Sequence, residues 1–188
     1  MPIRLFAGLL GLLLATPAFA LDCSILHFDF LTDKCDQGFA AYDHGDPGIL
    51  FSGYSYHHRG TYTAERLREL NERAWGLGYG KAVEDAHGDW HSVYGLVFRD
   101  SHFKYQKMVG YGWQTYWPVA GRLKAGAGFT AFIASRPDIY SSFPFPGALP
   151  LLSLRYDNAQ VLFVPIPKVS PGTTGNGNVI FVFGSYKF

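Results

Sequence analysis

Four side chains in this 188-residue sequence have the types needed to move a proton and to hold an oxyanion: His57, Asp100, Ser101 and Arg136. An imidazole titrates near neutrality and can act as a general base toward a hydroxyl. Asp100 and Ser101 are adjacent, so a carboxylate stands beside an O–H group. A guanidinium pairs well with phosphate or carboxylate oxygens. The set suits proton-assisted chemistry at a hydroxyl, with His102 as a rival imidazole. It is also the composition of an ordinary polar rim, and residue types alone leave both readings open. Whether the four meet depends on the elements that carry them.

Asp100 and Ser101 separate two runs rich in β-branched and aromatic residues, 93–98 and 109–117, each of which favours a strand. In the second run Val109, Tyr111, Trp113, Thr115 and Trp117 share one bulky face, while Met108, Gly110, Gly112, Gln114 and Tyr116 share the other. The same alternation predicts further strands over 49–62, 75–83, 122–133, 149–156, 160–166 and 179–188, eight in all. The polar stretch 64–73 reads as a loop with helical tendency. Turns fall at 86–89 and 157–158, and a glycine-rich loop, SPGTTGNGN, precedes the last strand.

Length and composition agree with a barrel. Arg4, an apolar run from Leu5 to Ala15, Pro17 and Ala18-Phe19-Ala20 form a secretory leader over 1–20, which makes Leu21 the expected mature N-terminus. Beyond it no apolar stretch approaches the ~20 residues of a spanning helix, so residence in a membrane would use strands. The chain is 17% aromatic and only 16% charged, with 22 glycines and a net charge of +1, a balance that argues against nucleic acid as a partner. Cys23 and Cys35 read first as a disulfide in an exported chain. They cannot be joined within one straight helix, where twelve residues span ~18 Å. Residues 21–48 form a short N-terminal periplasmic or interfacial segment of poor periodicity, and 49–188 an all-β, eight-stranded antiparallel transmembrane β-barrel ending on an aromatic, Phe188.

An even strand number puts both termini on the periplasmic side. The first strand then rises to His57, the third rises to Asp100 and Ser101, and the fifth rises to Arg136, so one outer mouth collects the four residues. Gly110, Gly112, Gly126 and Gly128 thin the inward face, and the last three strands are apolar on both faces. An interior of this size holds side chains or one small ligand, and this one is partly greasy. The rival reading, a catalytically silent barrel of the structural or adhesion type, expects charged pairs throughout the interior.

The stretches NERAWGLGYG, GDWHSVYGLVFRDS, GYGWQTYW, GAGFTAF, FPGALPLLS and GNGNV occur in that order from Asn71 onward. Together they resemble the outer-membrane lipid A palmitoyltransferases, the PagP family, over roughly Tyr56 to the C-terminus. The resemblance implies an eight-stranded monomeric barrel in the outer membrane of a Gram-negative bacterium, with its active site toward the cell exterior. The implied reaction moves a palmitoyl chain from a phospholipid donor to the hydroxyacyl chain of lipid A, with no metal and no other cofactor. His57, Asp100 and Ser101 match the family's essential residues. His57 would accept the proton, Asp100 would orient it, and Ser101 would be nucleophile or hydrogen-bond donor.

Gly112 matches the floor of the family's acyl pocket, which implies a preference for sixteen carbons. Pro150 and Pro167 match prolines that flank a lateral opening for a lipid tail, and Arg136 matches a polar position suited to a lipid A phosphate. Asp85 and His91 also align and read as a buried structural pair. Ser52 stands where the family's first strand tends to carry proline, and the family's amphipathic N-terminal helix is hard to see in this sequence.

Overall fold

The alternation of apolar and polar residues along the chain folds into eight strands close to their predicted places. They are β1 (Asp46–His57), β2 (Gly76–Glu84), β3 (Trp90–Arg99), β4 (Tyr105–Ala120), β5 (Leu123–Ser135), β6 (Phe145–Tyr156), β7 (Ala159–Ile166) and β8 (Val179–Lys187). The computed structural model describes residues 22–137, 140–168 and 177–188. The predicted leader and most of the glycine-rich loop lie outside the described residues. Each strand pairs antiparallel with its sequence neighbours, and β8 returns to β1, closing the barrel. Closure gives every strand a partner on both sides, so no strand is an edge strand in hydrocarbon. Among the described residues no helix is long and apolar enough to cross a membrane.

The two faces of each strand differ as a membrane barrel requires. Outward positions such as Phe51, Leu77, Val109, Ile133 and Leu152 are exposed apolar side chains. Inward positions divide the lumen into two halves. Toward the His57 end, Leu96, Phe98, Leu151, Val164, Phe181 and Phe183 pack together, with the Phe98 and Phe181 rings 4.6 Å apart. Toward the chain termini the interior is polar: Tyr116 Oη donates to Gln160 at 3.1 Å, and Ser153 Oγ donates to Tyr116 at 3.1 Å. Arg155 lies 2.9 Å from Glu84 and stacks over Trp90 at 4.3 Å. The charged interior expected of a silent barrel therefore occupies only one half, and the other half is an apolar chamber.

A β-bulge in β1 sets the position of His57. Opposite β8 the register passes from Ser52↔Phe183 to Tyr54↔Val182, so two steps on β1 match one on β8. The extra residue, Gly53, inverts the alternation: Leu50 and Ser52 are buried before it, Ser55 and His57 after it. A one-residue slip moves a side chain to the other face of a sheet. Without the bulge His57 would share the outward face of Ile49 and Phe51.

The N-terminal segment differs from its sequence reading. It contains a 16-residue helix, α1 (Asp29–His44), lying on the outside of the barrel. Its docking face is mostly small and polar: Gly38 sits over the Tyr111 ring, Ala41 is fully buried, and Lys34 stacks over Trp113 at 4.7 Å, with Phe30 the one large apolar contact, 6.1 Å from both Trp113 and Phe129. Phe28, Leu31 and Tyr42 stay exposed. Splitting small and apolar residues between two faces hides the usual helical signal. Lys81 donates to the Tyr42 carbonyl at 2.6 Å, which satisfies one of the orphan acceptors of the helix end. Cys23 lies in a 3-10 turn (Cys23–Leu26), and the chain reverses at His27 (φ 53°) before α1. That reversal brings Cys35 to a Cα distance of 5.8 Å, and the two cysteines form the expected disulfide.

The inward glycines are not equivalent. A Cβ at Gly110 would stand 2.7 Å from Tyr94 Oη and 2.8 Å from the Ala131 carbonyl, because the Tyr94 ring lies across it to reach Thr130. A Cβ at Gly126 would meet the Tyr116 ring at 2.6 Å. These two glycines hold aromatic side chains, so the room read from the sequence at these positions is occupied. At Gly112 the nearest atoms are the rotatable Ser92 Oγ at 3.0 Å and Leu151 at 3.7 Å. Gly110→Ala is expected to lower unfolding stability by about 1–3 kcal/mol through overpacking, and Gly112→Ala by much less. Urea unfolding of the two variants beside wild type checks the order.

Candidate active site

His57 ends β1 and Ser101 stands in the turn after β3, with β2 between the two strands, yet their side chains meet. β2 pairs with β1 only as far as Ser52↔Gly76 and stops short of the mouth. The segment 71–75 fills that gap. Ser52 Oγ donates to the Ala74 carbonyl at 2.6 Å and the Ser55 amide donates to the Glu72 carbonyl at 2.9 Å. The seam where the family tends to carry proline is therefore bridged here by a serine hydroxyl. On its other side the segment grips the turn after β3: the Asn71 amide nitrogen donates to the Ser101 carbonyl at 2.8 Å, and its Nδ2 donates to the Asp100 carbonyl at 3.0 Å.

With both sides held, His57 Nε2 lies 3.0 Å from Ser101 Oγ. His57 is 1% exposed, with the Tyr62 ring edge-on at 5.1 Å. Its other ring nitrogen, Nδ1, faces Glu72 Oε1 at 3.3 Å. The same carboxylate accepts from the His57 backbone amide at 3.1 Å, from Arg59 at 2.6 and 2.7 Å, and from Tyr54 Oη at 3.2 Å. The bidentate Arg59 guanidinium, together with the His57 donors, holds the Glu72 carboxyl down to about 2. A short helix, α2 (Ala64–Glu69), capped by Thr63, precedes this segment.

Asp100 lines the same mouth as His57, Ser101 and Arg136, as the sequence places it, but with other partners than His57. Its carboxylate does not hydrogen-bond His57. Oδ1 accepts the backbone amides of His102 and Lys104 at 2.9 and 2.8 Å, and Oδ2 faces Arg136 at 3.4 Å. Asp100 therefore shapes the turn that presents Ser101, completed by Phe103 in the left-handed region at φ 63°. The rival imidazole, His102, lies 3.3 Å from Arg136 through Nδ1. Glu72, which sequence reasoning missed, takes the place beside His57. A carboxylate between Asn71 and Arg73 in a loop carries no periodic signal; it lies in the stretch NERAWGLGYG, but its place beside His57 shows only in the tertiary contact.

Below the pair lies an outer chamber of about 470 Å³ lined by residues including His57, Ser101, Phe98, Met108, Leu149 and Arg136. Gly112 is not in its lining. It borders a smaller inner cavity of about 50 Å³ with Ser92, Gln114 and Leu151, and the two cavities share Tyr94, Thr130 and Phe183. Gly112 thus sits where the apolar chamber gives way to the polar end of the lumen. On the far wall β6 and β7 pair only from Tyr156↔Ala159 to Leu152↔Phe163. Continuing that register sets Pro150 against Pro165, and two residues without N–H groups cannot extend the ladder. Pro167 follows immediately after β7. The unpaired edges form a seam toward the His57 end. Asp85 and His91 form a buried pair at 3.2 Å under α1, and His91 also meets Tyr111 Oη at 2.6 Å.

A closed membrane-type barrel with a buried imidazole–hydroxyl pair above an apolar chamber defines a class: a β-barrel enzyme that works on lipid chains. Residues 40–185 match the profile of the family described as "Antimicrobial peptide resistance and lipid A acylation protein PagP". A protein of Bordetella parapertussis (strain 12822) described as lipid A acyltransferase PagP is 38% identical over 183 residues, covering 97% of this chain and 98% of that protein. Proteins of the same description from Legionella longbeachae and Legionella pneumophila are each 39% identical, covering 82% of this chain and 66% and 80% of their own lengths. The chain belongs to the PagP family.

The depressed Glu72 carboxyl has a pH consequence with a definite sign. Ionised Glu72 contributes stability that is fully present above its ordinary value of 4.5 and is lost as pH falls toward about 2. The difference in urea midpoint between wild type and Glu72→Gln is expected to shrink as pH falls through that window. A difference that stays constant would show the carboxylate unpaired in the folded protein.

Proposed function

We propose that the protein is an outer-membrane lipid A acyltransferase that moves a palmitoyl chain from a glycerophospholipid to a hydroxyacyl chain of lipid A. The observation that carries this reading is the 3.0 Å contact between buried His57 and Ser101 at the top of an apolar chamber, in a chain of the PagP family. The reaction is a transesterification. The acceptor hydroxyl oxygen bonds to the ester carbonyl carbon, the bond between that carbon and the glycerol oxygen breaks, and the acceptor's proton ends on the glycerol oxygen. His57 Nε2 carries that proton, with Ser101 in its hydrogen-bonding reach, and Asp100 acts by holding the Ser101 turn.

Chain length follows from depth. Ser92, paired with Gly112, lies eight residues below Asp100 along β3. At ~3.3 Å per residue and a tilt of ~40° that is ~20 Å along the barrel axis. Fifteen C–C bonds of ~1.5 Å in zigzag span ~19 Å, so a sixteen-carbon chain ends beside Gly112. Beyond it stand Gln114 and Gln160, and burying a methyl end among polar groups gains nothing.

The seam between β6 and β7, with Pro150, Pro165 and Pro167, supports entry of the donor's tail from the surrounding leaflet. Arg136, turned into the chamber mouth, suits a lipid A phosphate. In this reading the leader is removed after Ala20, the chain works as a monomer, and the His57 end faces the cell exterior.

Detergent-refolded protein incubated with labelled dipalmitoyl phospholipid and lipid A is expected to yield palmitoylated lipid A. His57→Ala and Ser101→Ala are each expected to lose at least 10²-fold in rate. Gly112→Met is expected to shift preference toward shorter chains, and retained preference for palmitate would reject the depth argument. No product from folded wild type would reject the proposed reaction.

A further inference from the structure

We infer that Glu72 is the positioning residue of the site: it fixes His57 in the tautomer that presents a free Nε2 lone pair to Ser101. The inference rests on the reading of His57 and Ser101 as the acyl-transfer pair and adds a residue to it.

The argument is one of hydrogen-bond elimination. An ionised carboxylate only accepts. Glu72 Oε1 already receives the Arg59 Nη1 and the His57 backbone amide, and it stands 3.3 Å from His57 Nδ1. For that third contact to be favourable Nδ1 must carry the proton. Nε2 is then the unprotonated nitrogen, and it is the one 3.0 Å from Ser101 Oγ.

The opposite tautomer would set two lone pairs against each other at Nδ1 and point an N–H at Ser101, which removes the base. Among the described residues the other groups near the ring have partners of their own. Tyr62 presents its ring edge and gives its hydroxyl to the Gly177 carbonyl at 2.7 Å. Arg59 is committed to Glu72 and to the His57 carbonyl. Asp100 is committed to the amides of its own turn and to Arg136, which itself reaches His102.

Arg59 keeps the arrangement in one state. Its bidentate grip prevents Glu72 from taking up a proton and becoming a donor, and it places the carboxylate under the end of β1. The lowered pKa of the Glu72 carboxyl agrees with this. A histidine held by a carboxylate through Nδ1–H while Nε2 serves a hydroxyl is the division of labour known from hydrolase triads, where amide replacement of the carboxylate fixes the wrong tautomer. Here the carboxylate comes from the same segment after α2 that grips the Ser101 turn, on the residue next to Asn71.

Two readouts test the inference independently. In ¹⁵N-labelled, micelle-embedded wild type, with the His57 ring signals assigned by their loss in His57→Ala, the neutral imidazole is expected to show Nδ1–H and unprotonated Nε2. An Nε2–H tautomer would overturn the inference without any Glu72 variant. In the acyl-transfer assay Glu72→Gln is expected to lower kcat on the order of 10²-fold or more with KM little changed, because Glu72 touches no substrate, and to move the ring toward Nε2–H. A Glu72→Gln protein with wild-type kcat, or one that loses activity with the tautomer unmoved, would also overturn it. Wild type that shows Nδ1–H yet transfers no acyl chain would instead remove the proposed reaction and leave the positioning role standing.

Discussion

One extra residue in the first strand governs what this barrel can do. Strand side chains alternate with a period of two, and the bulge at Gly53 shifts that alternation so that His57 enters the lumen with Ser55. Everything else at the mouth is arranged around an imidazole in that place. β2 ends early, leaving room for the segment 71–75, and that segment ties His57 on one side and the Ser101 turn on the other. A polar site of this kind in a membrane barrel must satisfy its own hydrogen bonds, because hydrocarbon offers none. The Arg59–Glu72–His57–Ser101 chain does so at the point where the strand ladder has been interrupted.

The lumen below is organised by the same economy of polar groups. Apolar rings fill the half beneath the site, and hydrogen-bonded glutamines, tyrosines and the Arg155–Glu84 pair fill the half near the termini. The boundary between them is a chemical floor as well as a steric one. An acyl tail gains by displacing water from the upper half and gains nothing by going further. Gly112 lies at that boundary, and in the proposed function chain selectivity is set there.

Much of the fold was legible in the sequence, for a physical reason: each strand faces two different solvents, so the period of two is strong in β3, β4 and β5. The cysteine pair was legible from export and count, and the Asp85–His91 pair from its place at a turn. What was hidden is instructive. Helix α1 docks through Gly38, Ala41 and Phe30 and leaves Leu31, Phe39 and Tyr42 exposed, so no single face announces it. The glycines looked equivalent because sequence cannot show that Tyr94 and Tyr116 fill two of them. The family resemblance implied that Asp100 orients His57, whereas the backbone amides of its own turn are nearer partners. Glu72 and the Gly53 bulge depend on tertiary proximity, and nothing in their neighbours' types marks them. Pro165 is readable as a strand proline, but its meaning comes from facing Pro150 across an unpaired register.

The central claim, that the His57–Ser101 pair acylates lipid A within the outer membrane, is tested most directly by mass spectrometry of lipid A from Gram-negative cells lacking their own such activity. Cells producing the protein are expected to show a lipid A species heavier by one palmitoyl group, absent when His57→Ala is produced at equal level in the same membrane. Unchanged lipid A with the wild-type barrel inserted and its donor phospholipid present at the surface, or an equal shift with His57→Ala, would contradict the account.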